Sequence, residues 1–150
     1  MKILVQDQDF DISAEMDAVC AGRTDIGAIV SFTGLVRDFH GSDKIHNMTL
    51  EHFPGMAERQ LENICKMACE RWLLQDVTVI HRYGRLCPGD RIVLVITLSA
   101  HRGAAFQAAE FIMDCLKTDA PFWKKEQTAK GHHWVDAKKS DTEKTEDWQK

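Results

Sequence analysis

The 150-residue chain is 44% apolar, enough to bury the core of one domain spanning residues 1–150 and too much for a disordered chain. With 23 acidic against 19 basic residues the formal net charge is −4, so bulk charge gives no reason to expect nucleic acid or an anionic membrane as a partner, and any anion site must be a local basic cluster. Five cysteines without a disulfide framework, a start (MKILVQDQDF) without a signal-peptide run, and an Ile92–Leu98 apolar stretch too short to span a bilayer lead us to expect a soluble, cytoplasmic protein.

Residues 2–6 read as a strand. Asp11-Ile12-Ser13-Ala14-Glu15 opens a helix with Ile12, Met16 and Val19 at helical spacing, and Ala21-Gly22 ends it. Gly27 to Val36 is β-branched and aromatic, hence a strand, and runs into a polar loop, Arg37 to Lys44. Asn47 to Phe53 reads as a second strand, expected to pair with the first as a wide hairpin. Pro54 to Leu74 has the strongest helical pattern, with Met56, Leu61, Ile64, Cys65, Ala68 and Trp72 on one face. Val77 to Tyr83 alternates as a strand does, Cys87-Pro-Gly-Asp90 marks a turn, and Arg91 to Leu98 is apolar enough for a central strand covered on both faces. Ser99 to Gly103 opens a third helix with an expected stripe of Phe106, Ala109, Ile112, Met113 and Leu116, stopped by Pro121. Pro121 to Glu126 and His133 to Ala137 read as short strands around a Lys130-Gly131 turn, and the charged tail from Lys138 is expected to fray. Hairpins among three main helices predict an α+β fold with a largely antiparallel sheet. Neither a Walker-type phosphate loop nor a dinucleotide fingerprint is present in the sequence.

A few polar residues sit where chemistry is often placed. His101 and Arg102 lie between a buried strand and a helix start, where backbone N–H groups and the helix dipole favour an anion; capping and an ordinary surface charge are the alternative. Lys117 ends that helix, and its two ends lie about 20 Å apart. A pocket shared by Lys117 and His101 therefore needs a returning strand, a neighbouring loop or a second subunit. Lys124 and Lys125 follow Phe122 and Trp123, either as cations beside an aromatic wall or as a solvated cluster. Arg37 stands at a strand exit. Cys65 and Cys69 are four apart, but on an apolar face they read as buried thiols rather than metal ligands, and no metal is expected.

Seven segments in unbroken order resemble the molybdopterin synthase large-subunit family. They are Phe32-Thr-Gly-Leu-Val-Arg37, Leu50-Glu-His-Phe-Pro-Gly-Met56, Val79-Ile-His-Arg82, Pro88-Gly-Asp90, Ser99-Ala-His-Arg102, Phe111-Ile-Met-Asp-Cys-Leu-Lys117 and Ala120-Pro-Phe-Trp-Lys-Lys-Glu126. The resemblance runs from about Gly27 to Ala137. It implies an α/β-hammerhead-like fold and a homodimer at the core of a heterotetramer. It also implies a small ubiquitin-like partner whose C-terminal Gly-Gly thiocarboxylate enters a pocket. Sulfur would pass there to cyclic pyranopterin monophosphate and build the dithiolene of molybdopterin, without a cofactor. Carried over by motif, Lys117 and Lys124 become the candidate catalytic residues, and Arg37, His101, Arg102, Lys125 and Glu126 the candidate substrate-binding ones. Two anions meeting in one pocket need several fixed cations, which such a cluster supplies. The alternative is a non-catalytic partner-binding module of the same fold with a degenerate pocket.

Overall fold

The structure is a computed structural model and describes residues 1–136 and 139–148. In chain order it runs β1 (Lys2–Gln6), α1 (Ile12–Cys20), β2 (Ala28–Leu35), β3 (Phe39–His40), β4 (Asp43–His52), α2 (Met56–Arg71), β5 (Leu74–Arg82), β6 (Gly84–Leu86), β7 (Arg91–Ser99), α3 (Arg102–Asp119), β8 (Phe122–Thr128), β9 (Gly131–Val135) and α4 (Lys139–Asp147). This is the expected α+β class. All strand pairs are antiparallel among the described residues except β1 with β5.

The first sheet has the order β1-β5-β7-β2. Its two inner strands alternate strictly. Val77, Val79, Val93 and Val95 face a core shared with α2 and α3, whereas Ile80, Leu94, Ile96 and Leu98 face α1. β7 is therefore central and covered on both faces, as its run of apolar residues predicts. Asp11 caps α1 by accepting from the Ala14 N–H at 3.0 Å. α2 starts after Gly55, which holds a left-handed conformation (φ 77°) that suits glycine, and Glu58 accepts from the Gly55 N–H at 2.6 Å.

The second sheet has the order β3-β4-β8-β9, with β6 added against β4. The expected hairpin between residues 27–36 and 47–53 does not form. β2 pairs with β7 instead, and β4 pairs with β8. The central β7 needs a partner on each side, and β2 supplies the second along its whole length, through a register shift at Gly34/Leu35 to Leu35 opposite Arg91; the short β3–β4 hairpin then reverses the chain. Val36, Met48, Leu50 and Leu86 form a small core between the sheets.

Three further expectations are corrected. Met56 is exposed and Ala57 takes its place on the buried face of α2. Phe106 is 62% exposed, because the buried face of α3 runs through Ala105, Ala108, Ile112 and Cys115 and leaves position 106 on its flank. The tail does not fray from 139 onward: α4 packs on α3. Thr145 is buried, with its Oγ1 donating to the Asp114 carbonyl at 3.3 Å, and the Trp148 indole N–H donates to Asp114 Oδ2 at 2.9 Å. Trp148 also meets Trp72 and Phe111 edge to face, and this aromatic contact outweighs the charged composition of the segment. Ala137 and Lys138, on which the expected strand end and tail start fall, lie outside the described residues.

Candidate active site

The two sheets meet in a cleft of about 730 Å³. Its apolar walls come from β4 (Met48 and Leu50), β7 (Ile92 and Val93) and the Phe122 ring of β8. Three cations reach it from three elements. Arg37 follows the end of β2, Lys117 lies in the last turn of α3, and Lys124 lies on β8. The pairing of Leu50 with Lys124 and of Met48 with Glu126 puts these four side chains on one face of the second sheet. A cavity of about 50 Å³ shares Arg37 and Lys124 with the cleft and reaches Glu126.

Glu126 is buried (2% exposed) yet charged. Its Oε1 lies 2.7 Å from Lys124 Nζ, a close ion pair without an aligned hydrogen bond, and its Oε2 lies 2.8 Å from His40 Nδ1. Burial pushes the carboxyl up, but Lys124 and His40 together hold it below its usual range. Glu126 thus fixes where the Lys124 ammonium sits. Lys117 is half exposed, and its Nζ is 3.8 Å from Asp141 Oδ1 of α4, so its near neighbour is an acid.

His81, at the end of β5, also lines the cleft and is 4% exposed. Its ring stacks on Phe122 with centroids 3.8 Å apart at 17°. Nδ1 lies 2.9 Å from the Arg82 carbonyl, which can only accept, so Nδ1 carries the hydrogen. Burial pushes this imidazole down to about 4, and it is neutral at pH 7.

Of the seven residues singled out from sequence, the fold brings Arg37, Lys117, Lys124 and Glu126 together. Lys125 points to the opposite face of β8, with its Nζ 5.4 Å from the centre of the Trp134 ring. His101 stands at the N-cap position of α3 without a side-chain capping hydrogen bond, exposed together with Arg102, and the helix rise puts it roughly 24 Å from Lys117 along the axis. Three participants were not among the candidate site residues. His81 lay inside the Val79-Ile-His-Arg82 segment without a role, and its place on the Val77-Val79 face of an alternating strand was the available signal. His40 and Asp141 gave none, since each arrives from a distant segment.

Fold and cleft together define an α+β protein with a cation-lined, apolar-walled site at the junction of two sheets. The MoaE protein family model matches residues 5–119. A molybdopterin synthase catalytic subunit from Ralstonia nicotianae is 55% identical over 146 residues, spanning 97% of this chain and 83% of the relative. The solved molybdopterin biosynthesis MoaE protein from Burkholderia ambifaria superposes with a TM-score of 0.85 at 48% identity, covering 99% of this chain and 98% of that one. Molybdopterin synthase from Staphylococcus aureus gives 0.81 at 29% identity, covering 90% and 96%. The chain belongs to the MoaE protein family.

Proposed function

We propose that this chain is the catalytic subunit of a molybdopterin synthase, a sulfurtransferase of molybdenum cofactor biosynthesis. In this reading it takes sulfur from the C-terminal thiocarboxylate of a small ubiquitin-like subunit and places it on cyclic pyranopterin monophosphate. Two rounds build the dithiolene; in each the thiocarboxylate sulfur bonds to a substrate carbon, water cleaves the C–S bond of the resulting thioester, the sulfur stays on the pterin and the spent donor leaves as a carboxylate. The relatives' name, catalytic subunit, supports a second subunit as partner. The single observation that carries the reading is the convergence of Arg37, Lys117 and Lys124 from three separate elements on one cleft.

Each cation has a task in this scheme. Lys124, held by Glu126, steadies the incoming thiocarboxylate and the tetrahedral intermediate formed at its carbon. Lys117 exchanges a proton or attacks that carbon, with Asp141 as its counter-ion. Arg37 holds the substrate phosphate. His101 and Arg102 are too far along α3 to reach the same cleft within one chain, so in the proposed homodimer they join it from the second copy. Lys125 and Trp134 lie outside the pocket and offer a cation–π pair to the partner subunit. The thiols are free and no described helix is long and apolar enough to cross a membrane, which agrees with a cytoplasmic setting.

Sulfur transfer in a purified system tests the reading: the chain, thiocarboxylated donor and cyclic pyranopterin monophosphate, with molybdopterin detected as its fluorescent oxidised derivative. The wild type is expected to form product, and Lys117→Ala to lower kcat by about 10²–10⁴-fold, the range for loss of an acid–base group. Product from both would move the chemistry off Lys117, first to Lys124. No product from the wild type, with a donor active on another synthase, would leave a binding module of the same fold.

A further inference from the structure

We propose that His81 is a substrate-binding residue whose Nε2 accepts a hydrogen bond from a ring N–H of the pterin. This rests on the function proposed above and adds which part of the substrate meets which wall of the cleft.

The argument starts from strand parity. On β5, Val77 and Val79 belong to the core under α2 and α3, and His81 is the next side chain on that face, beside Val93 of β7. An apolar residue would continue this face without loss. An imidazole placed there loses most of its hydration: only one of its two nitrogens has a partner inside the protein, and the other meets the open cleft. That partner is the Arg82 carbonyl at Nδ1. Nε2 has no hydrogen-bond partner among the described residues, although the side chain lines the cleft. The Phe122 stack fixes the ring plane, and the Nδ1–H bond fixes the tautomer, so a lone pair stands at a set place in the wall.

The rest of the cleft explains what that lone pair is for. Arg37, Lys117 and Lys124 are donors and suit the anionic parts of the reactants. A pterin also carries N–H donors on its pyrimidinone ring, and burying these against Leu50, Ile92 and Phe122 is costly unless an acceptor meets one of them. The donor subunit's peptide tail is the less suitable occupant of this wall. An extended chain bonds through its backbone along a sheet edge, whereas β5 is flanked on both sides by β1 and β7.

His81→Phe keeps the ring and the stack but removes the acceptor, and His81→Gln restores an acceptor near the Nε2 position. In the sulfur-transfer assay His81→Phe is expected to raise KM for cyclic pyranopterin monophosphate about tenfold, the effect of one hydrogen bond, with kcat and the donor KM changed less than about twofold. His81→Gln should recover most of that loss. In the wild type without donor, the Nε2 resonance in ¹⁵N NMR should move when cyclic pyranopterin monophosphate is added; His81→Gln assigns that signal. An unchanged pterin KM in His81→Phe overturns the proposal, as does a rise in donor KM alone, which would give the site to the tail. Should His81→Phe fail to fold, the glutamine variant and the NMR shift decide: normal pterin KM in the first is expected, and a stationary Nε2 signal in the second overturns the proposal. A wild type that makes no molybdopterin with an active donor removes the functional reading itself, and this one with it. A working wild type with an indifferent His81→Phe removes this one alone.

Discussion

The first sheet buries both faces of its inner strands, and its alternating residues are almost all Val, Ile and Leu; the second buries one face only in part and carries Lys124 and Glu126 where the first would place valines. Substitutions in the first sheet should be read in stability, and substitutions on the cleft face of the second in turnover. His81 is the exception, the one buried titratable side chain among the described residues of the first sheet's strands, at the point where the cleft begins. A functional group at the end of a stable sheet is held rigidly by neighbours that do no chemistry, and its position is correspondingly well defined.

The contrast can be broken at several points. Ile96→Ala removes a fully buried side chain from the inner strand and should cost about 3–4 kcal/mol in urea unfolding while leaving the KM values of the folded fraction unchanged. Lys124→Ala should instead reduce kcat by about 100-fold, roughly 3 kcal/mol in activation free energy, and also lower the unfolding midpoint, because it leaves the buried Glu126 carboxylate with His40 alone. The pH dependence of stability sharpens the case of His81. Its folded value of about 4 lies below the ordinary 6.5, so between those values the unfolded chain binds a proton that the fold refuses. The contribution of neutral His81 is therefore full above about pH 6.5 and is lost as pH falls toward 4. Glu126 and Asp9, both held below their usual carboxyl values, also lose stability on acidification, so the comparison must be between proteins. Between pH 7 and pH 5 the wild type should lose about 2 kcal/mol more than His81→Phe. The smallest effect is expected from Lys125→Ala, one residue from Lys124 and on the other face, which should leave turnover with saturating donor within about twofold.

The parts of this molecule that were legible in the sequence are those with a period. The central strand 91–98, the helix after Pro54 and the caps at Asp11 and Pro121 follow from alternation, helical spacing and backbone chemistry, and each formed with shifts of a few residues at its ends. β6 was not legible, since Gly84-Arg-Leu86 is too short to show a period and exists through its pairing with β4. The partners of β2 and β4 were misread because adjacent strands usually pair, and nothing local to either strand announced a partner so far along the chain. α4 has a weak helical stripe, and its order comes from Trp148 reaching Trp72 and Phe111. At the cleft, motif order alone named Arg37, Lys117, Lys124 and Glu126, while spacing could not have joined residues so far apart along the chain. The same motif named Lys125, where strand parity already argued for the opposite face.

The strand orders also bear on how fast the molecule can assemble. In the first sheet Lys2 lies opposite Thr78 and Ala28 opposite Ser99; in the second, Leu50 lies opposite Lys124. Only the β5–β7, β3–β4 and β8–β9 pairs join segments close in the chain. The remaining ladders form after large loops have closed, and that entropy is lost before the contacts that offset it are made. Refolding should accordingly fall on the order of milliseconds to seconds, the range of non-local topologies. The β5–β7 meander is the one part of the first sheet able to form early, and β1 and β2 add to its two sides afterwards. The cleft, which needs β2, β4, α3 and β8 together, is complete only at the last stage.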